Sequence, residues 1–208
     1  MYKILTNKID FPDINLVDEY GVLAIGGDLS VARLLLAYQS GIFPWYNEGE
    51  PIVWYSPENR MVLFPNEIRI SKSMRKVLRE KEFSVTFNTN FEFVIDACKR
   101  IKRQGQGGTW ITDEMHQAYL NLHHLGYAKS IEVWKEGRIV GGLYGVDLGH
   151  VFCGESMFSL ESNASKVAFI HLSKMKYKLI DCQVYNEHLA SLGAKEISKN
   201  KFIELLKE

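Results

Sequence analysis

The stretch "SIEVWKEGRIVGGLYGVDLGHVFCGESMF", Ser130 to Phe158, decides the fold. Three runs rich in β-branched and aromatic residues, "SIEVW", "RIVGGLYGV" and "HVFCGESMF", are separated by the short turns "KEG" and "DLG". That pattern predicts an antiparallel meander. Downstream, "SNASKVAFIHLSKM" reads as a helix, "KLIDCQV" as a strand, "NEHLASLG" as a short helix, "AKEIS" as a strand and "NKFIELLK" as a closing helix. A meander followed by helix, strand, helix, strand is an α+β order with one crossover.

Upstream the period is helical. "ISKSMRKVLRE" places Met74, Val77 and Leu78 on one face and Lys72, Arg75, Lys76 and Arg79 on the others. "TNFEFVIDACKRI" opens with the capping-box pair Thr89 and Glu92 and aligns Phe91, Val94, Cys98 and Ile101. "TDEMHQAYLNLHHLG" starts at Thr112, stops at Gly126 and has Met115, Ala118, Tyr119 and Leu122 as its apolar stripe. Residues 1–65 are less regular. Their one clear helix, in "GDLSVARLLLAYQSG", is capped by Ser30 and stopped by Gly41. The expected organisation is a small N-terminal α+β domain over 1–65 and a larger domain over 66–208.

Composition narrows the class. With 208 residues, 46% of them hydrophobic, the chain can bury a core of its own. Lys+Arg and Asp+Glu both number 25, so no global charge points to nucleic acid, although a local basic patch remains open. Cys98, Cys153 and Cys182 are far apart and form no C-x-x-C, which fits reduced thiols in a cytoplasm rather than disulfides or zinc. The N-terminal "MYKILTNKIDFPD" shows no signal-peptide pattern, and no apolar run approaches the roughly 20 residues of a membrane helix. The six His (116, 123, 124, 150, 171 and 188) have no metal spacing and are expected on surfaces and helix faces. "QGQGG" (104–108) follows a helix and lacks the Lys of a P-loop, and no G-x-S-x-G elbow occurs. Neither a metal nor a cofactor is expected.

Four features can carry chemistry. On the strand 178–184, alternation turns Asp181 and Gln183 to one face. Two polar groups there form either a hydrogen-bonded core network or an acid/base or positioning pair. Glu155, beside Gly154 in "CGES", is either a structural ion-pair member or a carboxylate that binds a cation. The helix over 72–81 is either a solvated face or a phosphate-binding patch. The stretch "GIFPWYNEGEPIVWYSPENR" (41–60) packs two Trp, two Tyr, one Phe and three Pro. It either plugs its own domain or offers rings to a flat ligand.

These pieces together resemble one family. "GVLAIGGDLSVARLLLAYQSGIFPWYNEGEPIVWYSP", "GTWIT", "GYAKSIEVW", "VGGLYGV", "FCGESMFS", "NASK" and "LIDCQV" with its following His and "ASLGA" are similar to the leucyl/phenylalanyl-tRNA–protein transferases, in the family's order and over nearly the whole chain. The resemblance implies a small N-terminal domain and a C-terminal domain of the GNAT acyltransferase fold. It implies transfer of Leu or Phe from aminoacyl-tRNA to proteins with N-terminal Arg or Lys, marking them for degradation, by a cytoplasmic enzyme expected to be a monomer. It places Asp181 and Gln183 as the catalytic pair, acting either as base and relay or by orienting the amine. Glu155 is placed near the aminoacyl group, and Trp45 and Trp110 around the terminal adenosine. Leu143, Phe152, Leu172 and Ile180 are implied to line the side-chain pocket, and Tyr119 is grouped with these substrate-binding positions. Phe43, Trp54 and Tyr55 are left to hold the loop and domain junction. Lys72, Arg75, Lys76 and Arg79 fall where the family binds the acceptor stem.

Two departures stand out. Chains of the family often continue past the final helix, and Leu172 and its neighbours differ from the aromatic residues of some members. Two rivals remain. An acyl-CoA-dependent GNAT enzyme would carry a Q/R-x-x-G-x-G/A loop, which is not found before "SNASKVAF". A non-enzymatic nucleic-acid module would have no use for "LIDCQV" or "CGES".

Overall fold

The computed structural model describes residues 3–101 and 110–208, so the Gly-rich 104–108 segment lies outside the described residues. The chain begins with β1 (Lys3–Leu5), β2 (Val22–Gly26), α1 (Val31–Gln39), β3 (Phe43–Pro44) and β4 (Val53–Tyr55). Their strands form a four-stranded sheet in the order β1-β2-β4-β3. Next come β5 (Asn59–Leu63), α2 (Lys72–Glu80), β6 (Ser84–Phe87), α3 (Phe91–Arg100) and α4 (Asp113–His124). The meander is β7 (Ala128–Lys135), β8 (Arg138–Asp147) and β9 (Val151–Ser159). It is followed by α5 (Ala164–Leu172), β10 (Leu179–Gln183), α6 (Glu187–Ser191), β11 (Lys195–Ser198) and α7 (Lys199–Leu206).

The second sheet has seven strands in the order β11-β5-β10-β9-β8-β7-β6. The meander is antiparallel as expected, and β10 pairs parallel to β9 after the crossover through α5. The α+β class follows. β5 lies before the expected boundary at residue 65, yet it is inserted between β10 and β11 of the larger sheet. The chain therefore enters the larger unit at Asn59.

Helices cover both faces of that sheet, and "VGGLYGV" shows how. A Cβ on Gly141 would sit 2.5 Å from Ala164 Cβ of α5, so the glycine lets that helix approach closely. On the other face a Cβ on Gly142 would first meet Ile131 O of β7 at 2.6 Å, with Val94 of α3 at 3.4 Å. On one side Val133, Leu143 and Phe152 pack with Val167 and Ile170 of α5; on the other Tyr144, Val146 and Val151 pack with α3, α4 and the first unit. Among the described residues no helix is long and apolar enough to cross a membrane.

Most caps fall where the sequence puts them. Ser30 accepts from the Arg33 N–H, and Thr112 accepts from the Met115 N–H. The capping box at Thr89 does not form. The N-cap of α3 is Asn90, whose side chain makes no capping bond. Thr89 instead gives its hydroxyl to Glu132 Oε2, 2.8 Å away. Glu132, wholly buried on β7, also accepts from the Thr86 and Ser130 hydroxyls and from the N–H groups of Thr89 and Asn90. A carboxylate from the sheet thereby caps the helix, where the positive end of the helix dipole also favours it.

Burial alone would raise the Glu132 carboxyl, but the Ser130, Thr86 and Thr89 hydrogen bonds overcome it and hold the group below its usual value. Its stabilising contribution is therefore complete above the unfolded value and lost as pH falls through the lowered folded one. Glu132→Gln should cost about 2 kcal/mol at pH 7, in line with lost charge-assisted bonds. Chemical denaturation at pH 7 and pH 3 checks this: the difference from wild type should shrink at the lower pH.

Candidate active site

β9 and β10 stay paired only from Leu179 opposite Val151 to Asp181 opposite Cys153. β10 then bends. Its register against β5 shifts between Asp181 and Gln183, and Gln183 takes the left-handed region with φ 65°. β9 runs on to Ser159, so the strands part. The gap is a cavity of about 320 Å³.

The cavity gathers most of the residues singled out in the sequence. Trp45, Trp110, Leu143, Phe152, Glu155, Leu172, Ile180, Asp181 and Gln183 all line it. Phe43, Phe169 and Met157 join them. Trp45 stands 41% exposed, whereas Trp54 is fully buried with its Nε1–H bonded to Gly26 O at 2.8 Å. Trp54 plugs the first unit, and Trp45 faces the cavity.

The bend corrects the expectation that strand alternation turns Asp181 and Gln183 to one face. Asp181 is wholly buried, and Arg60 grips both of its oxygens. Arg60 Nε donates to Oδ1 at 2.8 Å and Nη2 donates to Oδ2 at 2.6 Å. Gln183 turns the other way, and its Nε2 donates to Glu155 Oε1 at 2.7 Å. The two residues meet only where the Gln183 N–H donates to Asp181 Oδ1 at 2.9 Å.

Tyr119 is also placed differently. It does not line the cavity; it is fully buried and gives its hydroxyl to Glu155 Oε2 at 2.7 Å. Tyr38 of α1 donates to Glu155 Oε1 at 2.8 Å, and the two phenols are hydrogen-bonded to each other. Glu155 is half-buried, keeping its contact with the cavity while protein surrounds its carboxyl. Burial pushes that carboxyl up. The Tyr119 and Tyr38 hydrogen bonds oppose the rise, the Asp181 charge adds to it, and the result is about 7.

Lys72, Arg75, Lys76 and Arg79 lie on the exposed face of α2, outside the cavity lining; Lys76 forms an exposed ion pair with Glu80 at 3.6 Å. Sequence reasoning did not reach Tyr38 or Arg60. Nothing local marks either: Tyr38 sits in an ordinary amphipathic helix, and Arg60 follows a Pro-rich loop. Among the described residues no three His, Cys, Asp or Glu are grouped to hold a metal ion.

The family model described as "Leucyl/phenylalanyl-tRNA protein transferase" matches residues 62–207, and its N-terminal-domain model matches 27–58. The chain belongs to this family. It is 63% identical over 207 residues to the leucyl/phenylalanyl-tRNA–protein transferase of Flavobacterium johnsoniae, covering 98% of each chain. It is 57% identical to that of Syntrophus aciditrophicus, over 98% of this chain and 87% of the relative. Among solved structures it is similar to a GCN5-related N-acetyltransferase from Kribbella flavida, with a TM-score of 0.40 and 8% identity over 81% of this chain and 60% of that one.

The raised Glu155 carboxyl has a measurable signature. Because its folded value is raised from 4.5 to about 7, the folded state binds the extra proton between those limits. Its contribution to stability therefore falls as pH rises across that window and is level above it, by roughly 3 kcal/mol in all. Glu155→Gln should remove this dependence. Denaturation of both proteins between pH 4.5 and pH 8 should show the variant gaining on wild type as pH rises.

Proposed function

We propose that this transferase moves Leu or Phe from aminoacyl-tRNA to the α-amino group of proteins beginning with Arg or Lys, marking them for degradation. The observation that carries the chemistry is a cavity carboxylate that, among the described residues, has no cationic partner. Glu155 has three neutral donors, while Asp181 is already neutralised by Arg60.

The aminoacyl ester is an activated acyl group, so no covalent enzyme intermediate is needed. The incoming nitrogen arrives as an ammonium and must lose a proton before it can attack. Glu155, ionised near neutral pH, accepts that proton. The neutral amine adds to the ester carbonyl carbon, and the bond from that carbon to the ribose oxygen breaks. Of the two protons the nitrogen loses, one passes through Glu155 to solvent and the other ends on the leaving ribose hydroxyl. General-base help of this kind is worth about a hundred- to ten-thousand-fold. Holding the two substrates in line contributes further, up to roughly 7–11 kcal/mol.

The apolar wall of Leu143, Phe152, Leu172 and Ile180 takes the Leu or Phe side chain. Trp45 and Trp110 take the terminal adenosine by stacking, a contact that tolerates any base. The exposed cations of α2 face the acceptor-stem phosphates. One chain supplies both the rings and the carboxylate, so the enzyme works as a monomer, in the cytoplasm where charged tRNA is found.

The test is transfer of radiolabel from Leu-tRNA to an acceptor protein with N-terminal Arg. Base-stable, acid-precipitable label is expected, and an acceptor with N-terminal Glu should receive far less. Equal labelling of both would contradict the acceptor assignment. Trp45→Ala and Trp110→Ala should each raise KM for aminoacyl-tRNA about tenfold with little change in Tm, since each stacking contact is worth about 1–3 kcal/mol. Loss of Tm with an unchanged KM would make the rings core instead.

A further inference from the structure

Arg60 links two halves of the cavity that are far apart in sequence. It lies on β5, 2% exposed, with its guanidinium between the rings of Phe43 and Phe202, 4.6 and 4.7 Å from their centroids. Nη1 donates to Gly41 O at 3.3 Å, at the start of the aromatic loop. Phe43 in turn stacks on Tyr55 at 6.0 Å, and Tyr55 lies 5.9 Å from Trp45. The remaining N–H groups hold both oxygens of Asp181.

Asp181 passes this order on. Its Oδ1 accepts the N–H of Gln183, the residue whose left-handed backbone lets β10 leave β9. A non-glycine residue in that region costs about 1–3 kcal/mol and needs surrounding bonds to hold it. With the bend held, the Gln183 amide reaches Glu155.

We propose that Arg60 is a positioning residue for the transfer reaction: it neutralises Asp181 so that Glu155 alone exchanges the proton, and through Asp181 it holds the Gln183 bend that aims an amide at Glu155. The inference rests on the reading of Glu155 given above. The groups facing Glu155 are Tyr38 from α1, Tyr119 from α4, Cys153 on its own strand, and Asp181 and Gln183 from β10. Of these, Asp181 is the only carboxylate. Without Arg60 its charge would act on Glu155 uncompensated and raise the Glu155 midpoint further.

Two readouts test this. The first is the titration of Glu155 by carbon-13 NMR of side-chain-labelled glutamate, assigned with Glu155→Gln; it does not depend on activity. The second is kcat and KM for aminoacyl-tRNA. Arg60→Met should shift the Glu155 midpoint up by one pH unit or more, and adding Asp181→Asn should bring it back to the wild-type position or below. Arg60→Lys keeps the charge but cannot grip both oxygens. It should leave the midpoint within half a unit of wild type and lower kcat at least tenfold, with KM changed less than threefold. An unmoved midpoint in folded Arg60→Met, or a wild-type kcat in Arg60→Lys, would overturn the proposal. Should Arg60→Met not fold, as is common when a buried charge loses its partner, Arg60→Lys decides through its kcat. A wild type that titrates as described but transfers nothing would contradict the proposed function and leave the Arg60 linkage to be judged by the NMR readout.

Discussion

Three hydrogen bonds converge on the Glu155 carboxylate, from Tyr38, Tyr119 and Gln183. They tie together the first helix, the helix after the undescribed 102–109 segment and the strand that leaves the sheet. Each donor is neutral. Among the described residues the carboxyl therefore has hydrogen bonds but no counter-ion, and burial raises it to about 7. A cation in place of any of the three would lower that value and make the group a poor proton acceptor.

The same cavity holds a second carboxylate under opposite conditions. Asp181 is sealed from solvent and doubly bonded to a guanidinium. Two acidic groups a short way apart on neighbouring strands thus have different surroundings, and the proposed mechanism gives them different tasks. In it Glu155 takes the proton, and Asp181 holds backbone and amide in place. The strand bend makes this separation possible: had β10 continued straight, Gln183 would have followed Asp181 on the same face and Glu155 would have lacked its third donor.

The architecture was largely legible in the sequence. Period and punctuation marked the meander, its crossover and the caps at Ser30 and Thr112, because these depend on neighbours within a few residues. The cavity residues were legible through long matching blocks. What failed were readings that assumed regularity. Alternation along "LIDCQV" put Gln183 on the face of Asp181, but a bulge set by the pairing with β5 turns its amide to Glu155. The Thr89–Glu92 pattern suggested a local cap, but Glu132, more than forty residues on, took that role. Tyr38 and Arg60 act only through contacts across the fold, at 117 and 121 residues' separation from Glu155 and Asp181. No spacing rule reaches that far.

The proposed transfer depends on Glu155, not Asp181, exchanging the proton of the incoming amine. The direct measurement is the pH dependence of kcat at saturating aminoacyl-tRNA and acceptor for wild type, Glu155→Gln and Asp181→Asn. Wild type should rise with a midpoint of about 7, matching the raised Glu155 carboxyl. Glu155→Gln should lose that limb and at least a hundredfold in rate, as for removal of a general base. Asp181→Asn should be slower yet keep the limb, moved to lower pH because the neighbouring charge is gone. A limb that persists in Glu155→Gln and disappears in Asp181→Asn would contradict the account and make Asp181 the proton acceptor.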